Sequence, residues 1–408
     1  MKPTPPLPPP TSPPSAPPLA PLERVPEGAW NAADYESLAA RHLAPAHRAY
    51  VAGGSGWDTT VAANRAAFGR WAVVPRLLRD VRAGHTRLSL GGQALAHPLL
   101  LAPVAFQRLA HPRGEADTAR AAHATGAGFI ASTLSSLPLE AIAQAAGPVR
   151  WFQLYFQPAR ETTLDLVRRA DAAGYTALVV TLDASIQLAS RSALRAGFRM
   201  PAADGLAGNL AGYPAGAATV LAEGESRIFQ GAMRHAPTWD DLRWLQAHTR
   251  LPVWVKGVMH PDDAVALRAE GVAGVVVSNH GGRSLDGAPA SLAVLPAVRA
   301  AVGPGYPVLF DGGVRTGHDA FKALALGADA VLVGRLQVYA LAVAGAVGVA
   351  HMLTLLVEEL QACMAQAGCA SLADIGAHCL AAQPSPPGDT AAHPGTCIDA
   401  HDTNAPPC

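Results

Sequence analysis

The chemistry legible in this chain centres on His280. It lies in Ser278-Asn-His-Gly-Gly-Arg283, directly after the apolar run 273–277. A lone histidine is more often structural than catalytic. This one has Arg283 three residues on, and Asp183 ends another apolar run. A carboxylate can fix the tautomer of an imidazole and stabilise its protonated form. A guanidinium can grip a carboxylate with two parallel hydrogen bonds. Together they point to base chemistry on a ligand that carries a carboxylate. Lys256 adds a fixed positive charge, suited to a cofactor that becomes an anion on reduction.

A second cluster points to phosphate. Asp311-Gly312-Gly313-Val314-Arg315 precedes a helical stretch, and Gly334-Arg335 follows the last apolar run. Glycines let a backbone approach a ligand closely, and a helix start offers unpaired N–H groups to an anion. A tight packing turn explains either glycine alone; the two arginines weigh against it.

These residues need a scaffold that brings distant segments to one face. Eight short apolar runs, 98–102, 127–131, 150–154, 177–182, 252–255, 273–277, 307–310 and 330–333, alternate with helical patterns at 115–124, 139–144, 161–172, 262–269, 291–301 and 318–326. Each run is nearly continuous in apolar residues, as a strand buried on both faces should be. Gly126, Gly174, Gly271 and Gly327 stand where the helices should stop. Eight β–α units predict an α/β protein, a closed (β/α)8 TIM barrel, whose chemistry sits at the C-terminal ends of the strands. Those ends carry Pro103-Val104-Ala105, Ser132, Gln153 with Tyr155, Thr181 with Asp183, Lys256, Ser278 with His280, Asp311 and Gly334. An open doubly wound sheet is the alternative, but it would show a glycine fingerprint after its first strand.

The remaining segments divide the chain. Residues 1–25 are proline-rich and predict a solvated, disordered arm, and 381–408 a similar tail; the barrel domain with an N-terminal helical extension takes 26–380. The Gly- and Ala-rich stretch 200–237 predicts a mobile active-site loop. A net charge of zero argues against nucleic acid. No apolar run is expected to reach the ~20 residues of a membrane span. The N-terminus lacks the apolar core of a signal peptide. The five cysteines form no CxxC pair, so a metal site is not expected, and free thiols in the cytoplasm are.

The segments Ser278-Asn-His-Gly-Gly-Arg-Ser-Leu-Asp286 and Asp311-Gly-Gly-Val-Arg-Thr-Gly317 resemble the two signature segments of the FMN-dependent 2-hydroxy acid dehydrogenases and oxidases. Asn64-Arg-Ala-Ala-Phe68, Ala102-Pro-Val-Ala105, Ala110-His-Pro-Arg-Gly-Glu115 and Phe152-Gln-Leu-Tyr155 fit as well, and the resemblance spans about 34–375. It implies FMN as cofactor. Pro103, Val104 and Ala105 would lie against the flavin through their backbone. Ser132, Gln153, Thr181 and Ser278 would hydrogen-bond the ring or ribityl chain, and Lys256 would stabilise the reduced ring. Asp311, Gly312, Gly313, Arg315, Gly334 and Arg335 would hold the ribityl chain and phosphate. His280 would be the base, Asp183 its partner, Tyr155 a hydrogen bond to the substrate oxygen and Arg283 the carboxylate anchor. The implied reaction is oxidation of a small (S)-2-hydroxy acid, lactate- or glycolate-like, to the 2-oxo acid. Dioxygen, a quinone or a cytochrome would take the electrons, and a homotetramer is implied. The loop 200–237 lacks a basic amphipathic face, which argues against the membrane contact some members make.

Two positions depart from that pattern. A tyrosine expected near the start falls, by spacing back from Asn64, on Arg48. A second carboxylate-binding arginine falls on Ser190, with Arg191 beside it. Arg48 and Arg191 are therefore candidate substrate ligands. An FMN-barrel isomerase is an alternative reading opposed by the His-Gly-Gly-Arg segment. An FMN-binding protein with impaired catalysis is another, opposed by the intact His280, Asp183 and Arg283.

Overall fold

The computed structural model describes residues 17–201, 207–214 and 220–383. The N-terminal extension holds helices α1 (Asp34–Leu38), α2 (Pro45–Ala52) and α3 (Thr59–Ala66), strand β1 (Trp71–Val73), and the hairpin β2 (Leu88–Leu90) with β3 (Gln93–Leu95). The eight expected strands follow: β4 (Leu99–Leu101), β5 (Gly128–Ser132), β6 (Arg150–Leu154), β7 (Leu178–Thr181), β8 (Val253–Val258), β9 (Gly274–Val277), β10 (Val308–Phe310) and β11 (Ala330–Val333). All pair in parallel in chain order, and β11 returns to β4 with Val331 opposite Leu99, which closes the barrel.

Alternation along the strands sorts the apolar residues into two layers. Leu100, Ile130, Trp151, Trp254, Val276, Leu309 and Leu332 pack together as one buried cluster, with Leu90 and Leu95 of the hairpin in the same cluster. Their neighbours, such as Leu99, Leu101, Phe129, Phe152 and Phe310, belong to the larger cluster that includes the surrounding helices. Those helices are α4 (Gly114–Thr125), α5 (Leu139–Ala145), α6 (Arg160–Ala172), the short α7 (Arg191–Arg195), α8 (Trp239–Ala247), α9 (Pro261–Ala269), α10 (Ser291–Val302), α11 (Gly317–Ala325) and α12 (Arg335–Ala367). Starts are chemically marked: Thr316 and Asp319 form a capping box on α11, and Pro261 opens α9.

Four expectations need correction. The arm expected to be solvated over 1–25 is docked at its described end, because Leu19 N–H donates to the Arg41 carbonyl (2.8 Å) and Leu22 N–H to that of Val343 (2.8 Å); residues 1–16 lie outside the described residues. The C-terminal tail begins later than 381, since β12 (Leu380–Ala382) pairs antiparallel with β1, Trp71 opposite Ala382; residues 384–408 lie outside the described residues. Within the stretch 200–237, Asn209 anchors to the barrel rim. That buried amide donates to the carbonyls of Ser132 (2.9 Å) and Thr133 (3.1 Å) and accepts from Leu139 N–H (2.6 Å). Further along, Ile228 and Phe229 are exposed near Arg227 and Arg234, an apolar and basic surface that was not expected; residues 202–206 and 215–219 are outside the described residues.

The fourth correction concerns membrane-length runs. Helix α12 is long and apolar enough to span a bilayer by length and composition, and residues 336–357 carry no Asp, Glu, Lys or Arg. It is instead a broken core helix. Gly345 adopts φ +54°, a conformation open to glycine, and the backbone of Ala344–Gly345 leaves helical geometry. The second half restarts with Ala346 N–H donating to Asp117 of α4 (3.2 Å).

Candidate active site

The C-terminal ends of the strands open into a cavity of about 540 Å³. Loop segments raise His280, Arg283, Asp311 to Arg315 and Gly334 around it, and α2 and α7 supply the outer wall.

His280 follows β9 in a left-handed backbone conformation, φ +58°. Such a conformation is costly for a non-glycine residue and is common at functional positions. Its N–H donates to Ser278 Oγ (3.0 Å), which fixes the turn. The ring Nδ1 lies 2.9 Å from Asp183 Oδ1. Burial by itself raises the Asp183 carboxyl; the neighbouring His280 and Lys256 overcome it and hold the group below the ordinary carboxylate range. An ionised Asp183 holds the proton on Nδ1 and leaves Nε2 as the acceptor. Burial, and then the Asp183 charge, push the Tyr155 phenol up, so it is a hydrogen-bond donor at neutral pH.

Lys256 is buried on β8. Its ammonium donates to Ser278 Oγ (2.8 Å) and pairs with Asp311 Oδ2 (3.2 Å). Beneath it, Ser132 Oγ donates to Gln153 Oε1 (3.2 Å). Three buried polar atoms of this floor, Gln153 Nε2, Thr181 Oγ1 and Asp311 Oδ1, make no hydrogen bond among the described residues. Buried polar groups are normally satisfied, so these await a polar ligand.

Beyond Asp311 the rim becomes a cradle. Gly313 has φ +79°, and a Cβ there would meet the Asn64 carbonyl oxygen at 2.5 Å. Arg315 donates from Nε to Glu36 of α1 (2.7 Å). Arg335 gives its N–H groups to the carbonyls of Val51 (3.0 Å), Gly281 (2.9 Å) and Gly53 (2.7 Å). Burial, then Arg283 and Arg315, push the Arg335 guanidinium down to about 10, so it stays charged at neutral pH in a positive field. Orphaned polar atoms below, close-approach glycines and a cation cluster fit a polar ring system with a phosphate tail.

Pro103, Val104, Ala105, Ser132, Tyr155, Lys256, His280, Arg283, Asp311, Gly312, Gly313, Arg315, Gly334 and Arg335 all line the cavity, while Gln153, Thr181 and Ser278 sit directly behind that lining. Two expected ligands are not in the lining. Arg48 is exposed on α2, because residues two apart on a helix point about 200° apart. The inward residue is Tyr50, which sequence reasoning missed: its ring lies under Arg283 (4.7 Å) and stacks on Phe198 (4.2 Å). Counted back from Asn64, Tyr50 lies two residues nearer than the expected Arg48. Arg191 opens α7 and lies over Trp57 (3.8 Å), while Ser190 takes the place on the cavity wall.

Two other unforeseen carboxylates hold this wall. Asp286 accepts from Trp57 N–H (2.7 Å), Thr59 Oγ (2.6 Å) and Thr60 N–H (3.1 Å), tying α3 to the His280 loop. Asp58 accepts from Gly54 N–H (2.6 Å), Ser190 Oγ (3.1 Å) and Ser192 Oγ (2.7 Å), tying α2 and α3 to α7.

A family model for FMN-dependent dehydrogenases matches residues 39–382. The chain is 73% identical over 355 residues to an L-lactate oxidase of Alicycliphilus denitrificans, covering 87% of this chain and 97% of that one. It is 39% identical over 347 residues to glycolate oxidase 1 of Zea mays, covering 85% and 94%. Among solved structures, a mandelate oxidase with benzoyl-formic acid superposes with a TM-score of 0.77 at 42% identity, covering 86% of this chain and 98% of that one. A mutant of mandelate oxidase with a C4a-OH-FMN adduct does so at 0.76 and 40%.

Proposed function

The chain belongs to the FMN-dependent dehydrogenase family, and from that premise we propose that it oxidises a small (S)-2-hydroxy acid of the lactate class and passes the electrons to dioxygen. It is an FMN-dependent oxidoreductase of 2-hydroxy acids. Support for the finer reading comes from the L-lactate oxidase relatives. The observation that carries the chemistry is the 2.9 Å His280–Asp183 contact beside Arg283.

Bound FMN supplies a two-electron acceptor for the substrate. Gln153, Thr181 and Asp311, each with a buried polar atom that lacks a partner among the described residues, would hold its ring; Gly312, Gly313 and Gly334 would let the backbone approach, and Arg315 with Arg335 would hold the phosphate. Lys256 would stabilise negative charge on the reduced ring. Arg283 anchors the substrate carboxylate, and Tyr50 and Tyr155 donate phenolic hydrogen bonds to its oxygens. His280 takes a substrate proton on Nε2, and Asp183 stabilises the imidazolium that results. Leu134 and Phe198 add apolar surface to the cavity wall, which would limit water at a bound substrate.

The test is rapid-mixing reduction of the bound flavin by a panel of 2-hydroxy acids, with peroxide measured on reoxidation. Fast reduction by L-lactate and stoichiometric peroxide are expected. Reduction without peroxide moves the acceptor to a quinone or cytochrome. We place the protein in the cytoplasm, which its buried free thiols fit, and as a homotetramer, which the exposed Leu77 and Leu78 fit. Fractionation and sedimentation test these two.

A further inference from the structure

The substrate half of the cavity is short of positive charge. Lys256 is committed to Asp311 (3.2 Å), Arg315 to Glu36 (2.7 Å), and Arg335 to three backbone carbonyls. Arg283 is left beside His280, and its Nη1 already donates to the carbonyls of Tyr50 (2.9 Å) and Gly53 (2.8 Å). Among the described residues, the rest of this half's lining is uncharged: Leu134, Gln187, Leu188, Ser190, Leu194 and Phe198. Ser190 brings no free donor, since its hydroxyl is bound to Asp58 and lies 2.6 Å from Ser192 Oγ. The adjacent guanidinium of Arg191 is held over Trp57, outside the cavity lining. In that half of the lining, the groups available to a ligand's carboxyl end are therefore one guanidinium edge, the Tyr50 phenol and the Gln187 amide.

We propose that this site also oxidises neutral 2-hydroxy carboxamides, a reading that rests on the function proposed above. An amide fits the same three groups. Its carbonyl oxygen accepts from Arg283, and its NH2 donates to the Tyr50 hydroxyl oxygen or to Gln187 Oε1. The reaction is R–CH(OH)–CO–NH2 to R–CO–CO–NH2. The O–H and C–H bonds of the carbinol break and its C=O forms. Two electrons and two protons pass by way of the FMN to dioxygen, which becomes hydrogen peroxide. With one charged partner rather than two, exchanging carboxylate for amide removes the charge from about one hydrogen-bonded pair, a factor of about 10–100.

The experiment uses the FMN-loaded enzyme with L-lactate and L-lactamide. It measures flavin reduction, and separately the dissociation constants of pyruvate and pyruvamide by calorimetry. The expected preference for acid over amide, taken as the ratio of reduction rates and as the ratio of association constants, is about 100 or less in both measurements. Gln187→Arg and Ser190→Arg should each raise it about 10-fold or more by adding a cation to the neutral wall. Gln187 is exposed and makes no hydrogen bond among the described residues, so its variant keeps the test open if the Ser190 variant fails to fold. A ratio above about 100 in the wild type, or Gln187→Arg leaving it unmoved, overturns the inference. If L-lactate itself leaves the flavin oxidised, it is the proposed function that falls.

Discussion

His280 and Tyr50 show what can and cannot be read from residue types alone. His280, Asp183, Lys256 and Arg283 were legible because each lies within six residues of the C-terminal end of a strand, and the barrel rule then sends all of them to one rim. His280→Gln should keep its FMN and lose flavin reduction by roughly 10²–10⁴-fold; retention of a tenth of the wild-type rate removes the residue from the base role. Tyr50 was not legible, because a two-residue error along α2 turns a side chain from the cavity to solvent. Tyr50→Phe should raise the dissociation constant of a 2-oxo acid by about 5–10-fold, the loss of one hydrogen bond to a charged group, while Arg48→Ala leaves it unchanged. Equal effects in titration calorimetry would put Arg48 back at the site. Asp183 adds a pH dependence. Its folded carboxyl titrates below the unfolded one, so its stabilisation is fully present above pH ~4 and is lost as pH falls through the lower folded value. The stability gap between wild type and Asp183→Asn, read from urea unfolding, should therefore be largest near neutral pH and shrink below pH ~4. A gap that widens on acidification contradicts this.

At the scale of elements, the strands were the easiest to foresee and the long helix the hardest. A strand buried on both faces announces itself as a short apolar run between turns, and all eight were placed to within three residues at either end. Helix α12 is apolar on nearly every side over its first half, so no amphipathic period marks it, and the Ala344–Gly345 break is set by packing against Asp117 rather than by a proline. The β1–β12 pairing was equally hidden, since three-residue strands far apart in sequence carry no local pattern. It can be tested directly. Ala381→Pro removes a backbone N–H in β12 and should lower the melting temperature by about 2–4 °C per kcal/mol lost, with little change in the flavin's absorbance. An unchanged melting temperature would mean that the pair contributes nothing. The loop after β10 differs in kind, because its glycines bring backbone to the cavity lining. Gly313→Ala forces a Cβ into the Asn64 carbonyl at positive φ, and the purified variant should come off the column depleted of FMN. Full flavin occupancy would move the phosphate cradle elsewhere.

Across the whole molecule, burial decides what reagents can reach. Cys363, Cys369 and Cys379 are buried, and burial pushes the first two thiols up to about 12, so they stay protonated. These three should resist alkylation at pH 8 in the native protein and react on unfolding, as peptide mass spectrometry would show; rapid native labelling of Cys369 contradicts this packing. The closed ring of strands has a further consequence. The cavity draws Tyr50 from the first helices and Arg335 from the start of the last one, and β11 must reach β4 before the wall is complete. A ribosome adding roughly 5–20 residues per second needs on the order of tens of seconds to travel between those two residues. Throughout that interval the emerging polypeptide exposes apolar strands with nothing to close against. Cofactor capture is therefore expected only late in synthesis, and nascent chains arrested before Gly334 should bind no flavin while depending heavily on chaperones.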